Sequence, residues 1–387
     1  MTVGALAGVR VADFSRVLAG PHATMLLADL GADVIKIESP DGDGTRQWSP
    51  PVNAAGQSTY FAGTNRGKRS IVCDLRTEEG IALAKKLAHS ADVVIQNFKP
   101  GTMEKFGLGY EEVAKENQGV VYCSISGFGE EGGAALPGYD LLVQAVGGLM
   151  SVTGQPDDEG GQPTKVGVAL VDIITGLNAV IGIQAALRAR DEVSSPVRGK
   201  GQHVRVNLLS SLLSALANQT SSTLETGDSP GRLGNAHPSI SPYETFATAD
   251  QVIAVAVGTN GQFSALCEEI GLPELASDKR FINNESRVGN RAALREILNE
   301  RLKTDSAQGW ITRFTERKIP AGRVNTIAQA LELATDLGLS PVAETSTAEN
   351  TVVKTVANPI DLSMTPAHYD LAPPELGEHA GAEWLPR

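Results

Sequence analysis

The sequence has 387 residues, which is more than one compact core usually holds, so it predicts two domains or one large domain with an added lobe. Its 45 acidic and 33 basic residues give a net charge of −12. This acidic balance argues against nucleic acid and anionic membranes as partners, because both require a basic surface. With 41% apolar and 20% charged residues, the composition is that of a globular protein rather than a disordered one.

The first 130 residues alternate short apolar segments with amphipathic segments. Strands are predicted over 9–14, 33–38, 69–75, 93–98 and 120–126, and helices over 21–30, 78–90 and 102–117. Strands rich in Val and Ile that alternate with helices are typical of βαβ units. The pattern therefore predicts an α/β fold with a mostly parallel sheet.

Two long helices are predicted after this region, near 168–190 and 206–225. The first lies in an apolar run about as long as a membrane span, but polar residues such as Asp172 within it favour a buried helix. The second ends in a Gly- and Pro-rich turn, which marks a domain boundary. Residues 226–320 then have the pattern of a smaller α+β domain.

Cellular location and metal content can also be predicted from the sequence. The N-terminus has neither the basic start nor the long apolar stretch of a secretory signal, and three widely spaced cysteines indicate free thiols. Both features favour a cytoplasmic protein. The six histidines are scattered without the spacing of metal ligands, so no metal site is predicted.

Two motifs have both a structural and a ligand-binding interpretation. Gly127-x-Gly129-x-x-Gly132 follows a predicted strand, as in dinucleotide-binding proteins, but no long helix follows promptly and the acidic residue for the ribose is missing. The run Asn65-Arg-Gly-Lys-Arg69 is either a solvated surface or a phosphate site. If the sheet is parallel, this run borders the crevice at the strand ends, and both interpretations stay open.

Asp140 stands directly before an apolar segment that is predicted to be helical. An aspartate at such a position most often caps the helix by accepting hydrogen bonds from free backbone N–H groups. The helix dipole also keeps a carboxylate ionised there, which is the form that a nucleophile needs. The sequence pattern leaves both roles open.

Taken together, the sequence blocks resemble family III CoA-transferases, the group that includes formyl-CoA and carnitine CoA-transferases. Two of the blocks are Asp13-Phe-Ser-Arg-Val-Leu-Ala-Gly-Pro21 and Gly138-Tyr-Asp140. The others, in chain order, lie at 31–38, 65–70, 91–98, 147–154, 199–202, 257–263 and 376–379. The resemblance therefore covers essentially the whole chain.

The resemblance implies a Rossmann-like large domain with a smaller α+β domain, in a homodimer whose two chains are interlocked. The large domain would begin with residues 1–200 and be completed by a return segment over 321–387. Residues 201–225 would be a helical connection, and residues 226–320 would be the small domain.

The resemblance also implies an enzyme that transfers CoA from an acyl-CoA donor to a carboxylic acid, with succinyl-CoA as the hypothesis for the donor. Asp140 would be the nucleophile, forming an aspartyl mixed anhydride and then an aspartyl-CoA thioester. No permanently bound cofactor is expected, because the CoA thioester is a substrate. The residues implied for CoA are Val17, Leu18, Ala19, Arg66, Lys68, Asn97, Phe98 and Lys105. Those implied for a covering loop are Gly258, Asn260 and Gly261, and those for a distal carboxylate are Arg232 and His237.

Two alternative functions are weighed against the transferase. An α-methylacyl-CoA racemase or isomerase is similar, but it has a histidine where this chain has Tyr139, and an unperturbed tyrosine titrates only at about pH 10. Asp172 matches the second aspartate of the racemase, whereas in a transferase we expect Asp172 to be structural. A CoA-thioester-binding protein without turnover is the second alternative.

Overall fold

The computed structural model describes residues 4–386, which contain eleven strands and fifteen α-helices. The strands are β1 (Arg10–Asp13), β2 (Asp33–Glu38), β3 (Lys68–Val72), β4 (Val93–Gln96), β5 (Val121–Ser126), β6 (His203–Asn207), β7 (Tyr243–Ala247), β8 (Val252–Ala256), β9 (Ala321–Arg323), β10 (Val342–Ser346) and β11 (Val352–Val356). The α-helices are α1 (Ala19–Asp29), α2 (Thr59–Ala62), α3 (Glu78–Ser90), α4 (Thr102–Lys105), α5 (Tyr110–Glu116), α6 (Asp140–Val146), α7 (Leu149–Val152), α8 (Leu170–Asp191), α9 (Leu208–Ala215), α10 (Ala217–Thr226), α11 (Asn260–Glu269), α12 (Asn284–Gly289), α13 (Arg291–Leu302), α14 (Ala307–Glu316) and α15 (Ile327–Asp336).

The chain divides into two units, here named the large unit and the small unit. The large unit comprises Met1–Leu149, Val166–Gly227 and Gly338–Arg387, and the small unit comprises Met150–Lys165 and Asp228–Leu337. The small unit thus extends beyond the predicted boundary at residue 320 and includes a segment before α8. Helix α15 accordingly belongs to the small unit, and the returning segment of the large unit begins at Gly338.

Six parallel strands form the central sheet of the large unit, in the order β3-β2-β1-β4-β5-β6. Val11, Val93 and Ile95 of this sheet are fully buried, as expected where helices cover both faces of parallel strands. The predicted α/β fold with a parallel sheet is confirmed. Doubly wound sheets have this strand order, and their ligands bind outside the carboxyl ends of the strands where the winding changes direction, here between β1 and β4.

The predicted helical connection over 201–225 begins with a strand and is therefore not purely helical. Strand β6 pairs in parallel with β5, with Val204 opposite Cys123, and forms one edge of the sheet. Val204 and Val206 alternate with polar residues, but five residues are too few to distinguish this pattern from the start of the helices that follow directly.

Helix α8 packs against α1 at a position that requires glycine. A Cβ atom on Gly176 would lie 2.6 Å from the carbonyl oxygen of Ala19, so the two helices could not approach as closely with any larger residue. By length and composition α8 could cross a membrane, a test that core helices of soluble proteins also pass. Its Val171, Ala179 and Ile183 belong to the core of the large unit.

The small unit has its own core between a three-stranded sheet and helices. The sheet has the order β7-β8-β9 with antiparallel pairing. Its buried residues Phe246 and Ile253 pack in one cluster with Phe263, Leu298 and Phe314 from the helices. The alternation of buried and exposed residues along β7 and β8 matches a sheet with one covered face.

Candidate functional site

A pocket of about 90 Å³ lies at the carboxyl ends of the central strands. Its walls come from Ala19 in α1, from residues 97–100 after β4, from residues within 125–138 at the end of β5 and after it, and from Asp172 and Leu208. Among these described lining residues, Asp172 is the one carboxylate and the one cation is a lysine of the β4 segment. A second pocket, of about 310 Å³, lies beside the first and shares the lining residues Phe98, Pro100, Ile125 and Ser126 with it.

The segment 15–18, between β1 and α1, is held in a strained conformation beside this pocket. Val17 has a φ of +70°, a left-handed value that is rare for a β-branched residue. Asp43 accepts a hydrogen bond from the Val17 N–H (3.2 Å), and Lys36 donates one to the Ser15 carbonyl (3.0 Å). Buried polar groups thus maintain a backbone conformation that would otherwise relax, as is common at ligand sites.

Asn97 joins this segment to the one that follows β4. Its Oδ1 accepts a hydrogen bond from the Arg16 N–H (2.8 Å), and its Nδ2 donates one to the Arg16 carbonyl (2.7 Å). The exposed Arg16 guanidinium lies over the Phe98 ring at 4.4 Å and makes no ion pair with any residue of the described range. An exposed, unpaired cation beside a pocket can bind an anionic group of a ligand.

Arg66, from the basic run 65–69, is buried and fully engaged within the protein. Its Nε and Nη2 donate to the two carboxylate oxygens of Asp29 (2.9 and 2.6 Å), and its Nη1 donates to the carbonyl of Val356 (2.8 Å). Only 1% of the side chain is exposed. The guanidinium therefore ties α1 to strand β11, a structural role that replaces the predicted phosphate contact.

Lys68 is also fully buried rather than free for a phosphate. Its Nζ donates to Asp13 Oδ2 (3.2 Å), to the Pro21 carbonyl (2.9 Å) and to Asn65 Oδ1 (2.8 Å). Burial lowers the pKa of Lys68 to about 7, and the charge of Asp13 opposes this shift. Lys68 thus connects Asp13 at the end of β1 with Pro21 in α1 and stabilises the segment between them.

Asp140 is the first residue of α6, and its carboxylate caps the neighbouring helix α8. Oδ1 accepts hydrogen bonds from the backbone N–H groups of Val171 (2.8 Å) and Asp172 (3.2 Å). Oδ2 accepts one from Gln144 Nε2 (2.6 Å). Both oxygens are engaged, so the capping interpretation left open by the sequence describes Asp140 in this structure, although for α8 rather than α6.

Asp172 lies in the first turn of α8 and lines the pocket. No residue in the described range donates a hydrogen bond to its side chain. Burial raises the pKa of Asp172 to about 7, and the negative charge of Asp140 adds to the shift. An unpaired carboxylate that lines a pocket and ionises near neutral pH is suited to act as a nucleophile.

Tyr60 lies within electrostatic range of both carboxylates. Burial raises its pKa, and the charges of Asp172 and Asp140 add to this effect, so the hydroxyl stays protonated at neutral pH. Its ring packs edge-on against Trp48, with the ring centroids 4.9 Å apart.

Comparison with known proteins identifies the chain. The model of "CoA-transferase family III" matches residues 6–380. This protein is a family III CoA-transferase. It is 44% identical to the succinate–glutarate CoA-transferase of Agrobacterium fabrum, over 97% of this chain and 93% of that protein. It is 42% identical to the succinyl-CoA:glutarate CoA-transferase of Mus musculus, over 83% of this chain and 72% of that protein.

A solved structure supports the same assignment. The crystal structure of a CaiB/BaiF family protein from Brucella suis is 42% identical, covers 98% of both chains and aligns with a TM-score of 0.85. The predicted family, enzyme class and reaction are confirmed: the protein transfers CoA between an acyl-CoA and a carboxylic acid, and CoA thioesters are its substrates.

Only some of the residues that were predicted to contact CoA line the pocket. Ala19, Asn97 and Phe98 line it. Val17 and Leu18 belong to the strained segment that leads to Ala19. Lys105 is exposed at the end of α4, in the segment that follows the β4 residues of the pocket.

The predicted covering loop of the CoA-transferase forms the start of a helix in the small unit. Thr259 caps α11, and Gln262 completes a capping box by accepting a hydrogen bond from the Thr259 N–H (3.2 Å). Gln262 also accepts one from the Gly258 N–H (3.0 Å). The Asn260 side chain accepts a hydrogen bond from the buried Arg287 (3.1 Å). These bonds hold Gly258, Asn260 and the following Gly261 in a defined helical start.

The two residues predicted for a distal carboxylate also lie in the small unit. Arg232 pairs with Asp157 and donates from Nε to the Gln155 carbonyl (3.1 Å). His237 Nδ1 accepts a hydrogen bond from the Ser239 N–H (3.1 Å). Arg232 thus joins two distant segments of the small unit, and His237 stabilises a local turn.

Three charged residues that line or flank the pocket, Asp172, Lys99 and Arg16, were not predicted as site residues. Asp172 was expected to be structural, and Arg16 and Lys99 were not considered individually. The available signal was position: Arg16 follows β1 and Lys99 follows β4, the strands on either side of the switch point. No local sequence pattern marks Asp172 as a site residue. The first turn of α8 lies at the strand ends because α8 closely approaches α1 at Gly176.

Proposed function

We propose that this CoA-transferase exchanges CoA between succinyl-CoA and a dicarboxylic acid of similar length, such as glutarate, with Asp172 as the covalent nucleophile. The substrates follow from the names of the two relatives at 44% and 42% identity. The observation that carries the choice of nucleophile is that Asp172, which lines the pocket, has an unpaired carboxylate, whereas both carboxylate oxygens of Asp140 are hydrogen-bonded.

The reaction takes four steps on one carboxylate. Asp172 attacks the thioester carbonyl of the donor, the C–S bond breaks, and an aspartyl mixed anhydride and CoA thiolate form. The thiolate then attacks the aspartyl carbonyl, which releases the donor acid and leaves an aspartyl-CoA thioester. The acceptor carboxylate attacks that thioester to form a second anhydride and CoA thiolate. The thiolate finally attacks the acceptor's acyl carbonyl, which yields the new acyl-CoA and restores Asp172.

In our proposal, Asp140 positions the nucleophile Asp172. Its carboxylate fixes the first turn of α8 through the N–H groups of Val171 and Asp172 itself. Its negative charge helps to keep the pKa of Asp172 near 7, and a more basic carboxylate is a better nucleophile than an ordinary one. Desolvation in the pocket also protects the anhydride from water.

CoA would bind along the two pockets in this proposal. Arg16, Lys99 and Lys105 are exposed cations suited to its phosphates, and Asn97 and Phe98 would contact the pantetheine chain. The buried Arg66 and Lys68 would support the segment Val17–Ala19 from inside rather than contact CoA. In this proposal the large unit is a Rossmann-like domain that binds CoA.

We also propose a cytoplasmic homodimer whose two chains are interlocked. The support is exposed apolar surface on helices that have no buried residue in the single chain: Leu224 of α10 is 79% exposed and Ile327 of α15 is 83% exposed. Light scattering of the purified protein tests the dimer, and a monomer at micromolar concentration would contradict it.

Hydroxylamine trapping tests the proposed nucleophile. The protein is incubated with succinyl-CoA and hydroxylamine, which converts an acyl-aspartate to a hydroxamate and thereby inactivates the enzyme. We expect inactivation of the wild type and of Asp140→Asn, and none of the residual activity of Asp172→Asn. Inactivation that is lost in Asp140→Asn and kept in Asp172→Asn would assign the nucleophile to Asp140 instead.

A further inference from the structure

Gln144 connects helix α6 with the residues that precede α8. It lies one helical turn after Asp140, on the same face of α6, and only 1% of it is exposed. Its Nε2 donates a hydrogen bond to Asp140 Oδ2 (2.6 Å), and its Oε1 accepts one from the Val166 N–H (2.9 Å). Nε2 also donates to the Val168 carbonyl at the longer distance of 3.4 Å. Both ends of the buried amide are therefore engaged.

These partners determine which end of the Gln144 amide faces Asp140. A backbone N–H only donates, so the Val166 N–H requires an acceptor, and the amide oxygen is the acceptor that glutamine has. The amide nitrogen then points to the carboxylate of Asp140. Leucine in this place would offer neither a donor nor an acceptor, and an ionised glutamate would offer no donor. The position therefore requires one group of each kind.

The carboxylate of Asp140 connects Gln144 with the first turn of α8. While Gln144 holds Oδ2, Oδ1 accepts hydrogen bonds from the N–H groups of Val171 (2.8 Å) and Asp172 (3.2 Å). Within residues 4–386, no other side chain donates a hydrogen bond to Asp140 and no cation pairs with it. Gln144 is thus the one side chain of this range that fixes the rotation of the carboxylate over the start of α8.

We infer that Gln144 is a positioning residue for CoA transfer: it fixes the carboxylate of Asp140, which in turn fixes the helix turn that carries the nucleophile Asp172. The inference rests on the proposed role of Asp172. Displacing a reacting group by about 1 Å can slow a reaction about 100-fold, so a hydrogen bond one residue removed from the nucleophile can control the rate. Gln144 is not among the described residues that line the two pockets, so its removal should change kcat and not KM.

A double-mutant cycle tests whether Gln144 acts through Asp140. The values of kcat and KM are measured for CoA exchange between succinyl-CoA and glutarate. Gln144→Leu should lower kcat about 10- to 100-fold and change KM for succinyl-CoA by about twofold or less. In the Asp140→Asn protein the same substitution should lower kcat by about twofold or less, because the hydrogen bond to the carboxylate is already absent. An equal loss of kcat in the two backgrounds would overturn the inference.

A rescue variant exchanges the donor and the acceptor between the two positions. In Asp140→Asn alone, the new amide nitrogen faces the amide nitrogen of Gln144, and two donors cannot form a hydrogen bond. Adding Gln144→Glu supplies a carboxylate that accepts from this amide and from the Val166 N–H, while the amide oxygen still accepts from α8. This double variant should have about a tenfold higher kcat than Asp140→Asn alone. A double variant that is no faster would contradict the inference.

Gln57→Leu is the matched control for damage to the fold. Gln57 is also buried, and its Nε2 donates to Glu375 Oε1 (2.7 Å) and to the Pro373 carbonyl (2.9 Å), in the C-terminal part of the same unit. Thermal unfolding should show a similar loss of stability in Gln57→Leu and Gln144→Leu, whereas kcat of Gln57→Leu should stay within about twofold of wild type. Equal losses of kcat in the two variants would mean that any broken buried hydrogen bond has this effect, and would refute the positioning role.

The position of the hydroxamate formed with succinyl-CoA and hydroxylamine separates a failure of this inference from a failure of the proposed function. A hydroxamate on Asp172, together with equal effects of Gln144→Leu in both backgrounds, would contradict the inference alone. A hydroxamate on Asp140, together with no activity in either protein that carries Asp140→Asn, would contradict the proposed nucleophile and the inference with it.

Discussion

Two groups of charged residues in the large unit are built in different ways. In the protein interior next to residues 15–18, Lys36 with Asp43 and Lys68 with Asp13 form fully buried ion pairs at 3.1 and 3.2 Å. At the pocket, the carboxylate of Asp172 has no oppositely charged partner within the described chain. The comparison teaches that charge alone does not mark a ligand site. The paired group holds the backbone, and the unpaired group is available for substrates.

The largest effect is expected where the unpaired carboxylate is removed. Asp172→Asn keeps the size of the side chain but abolishes its nucleophilicity, so CoA exchange should fall on the order of 10⁴-fold or more. The thermal midpoint should stay the same or rise, because no hydrogen bond to the side chain is lost. Exchange assays and calorimetry check both. Normal activity in this variant would show that the unpaired group is not catalytic.

A large stability effect is expected where a further buried ion pair, Arg66 with Asp29, is broken. Arg66→Met leaves the buried carboxylate of Asp29 without its partner, which should cost about 3–5 kcal/mol of unfolding free energy. The control, Lys99→Met, removes an exposed cation and should change stability by about 0.5 kcal/mol or less. Denaturant unfolding measures both, and equal costs would remove the distinction between buried paired charges and exposed unpaired ones.

The pH dependence of acylation should show the raised pKa of Asp172. The nucleophile is the carboxylate, so CoA release in a single turnover should fall about tenfold per pH unit below a midpoint at about pH 7. Asp140→Asn removes the neighbouring charge that adds to the shift, so its midpoint should lie at lower pH. A midpoint that stays in place would mean that Asp140 does not influence Asp172.

The same pKa affects folding stability with a defined sign. The pKa of Asp172 in the folded protein lies above its ordinary value of 3.8. Its contribution to stability is therefore fully present below about pH 4 and is lost as the pH rises through about 7. Relative to wild type, Asp172→Asn should gain unfolding free energy over this window, as measured by denaturant unfolding at several pH values.

The smallest effect is expected at the exposed cation beside the pocket. Arg16→Gln should raise KM for succinyl-CoA about 3- to 10-fold with little change in kcat, and added salt should reduce the difference. Arg198→Gln, at another exposed arginine, should leave KM unchanged. An equal effect of the two substitutions would indicate only a general influence of charge.

Much of the large unit could be predicted from local patterns. The strand over Asp33–Glu38 and the helix over Glu78–Ser90 have the predicted bounds, because both combine clear periodicity with turn residues at their ends. Strand β6 was missed because its short alternation lies next to a longer helical pattern. The hairpin of β10 and β11 was missed within a tail that looked irregular.

The candidate site was predictable only in part, because a sequence records residue types and not their partners. The strand ends located the segments that hold Ala19, Asn97 and Phe98. Whether Arg66 is free or buried depends on Asp29 and Val356, which are far away in the sequence. The roles of Asp140 and Asp172 likewise depend on where α8 begins relative to α6.

The most direct test of the central claim is which aspartate becomes activated during the reaction. Hydroxylamine converts the activated carboxyl group of the nucleophile, as anhydride or as CoA thioester, to a stable hydroxamate. After incubation with succinyl-CoA and hydroxylamine, trypsin cleavage after Lys165 separates Asp140 from Asp172 on two peptides, and mass spectrometry identifies the modified peptide. We predict the hydroxamate on Asp172, in the peptide that begins at Val166. A hydroxamate on Asp140, in the preceding peptide, would contradict the account.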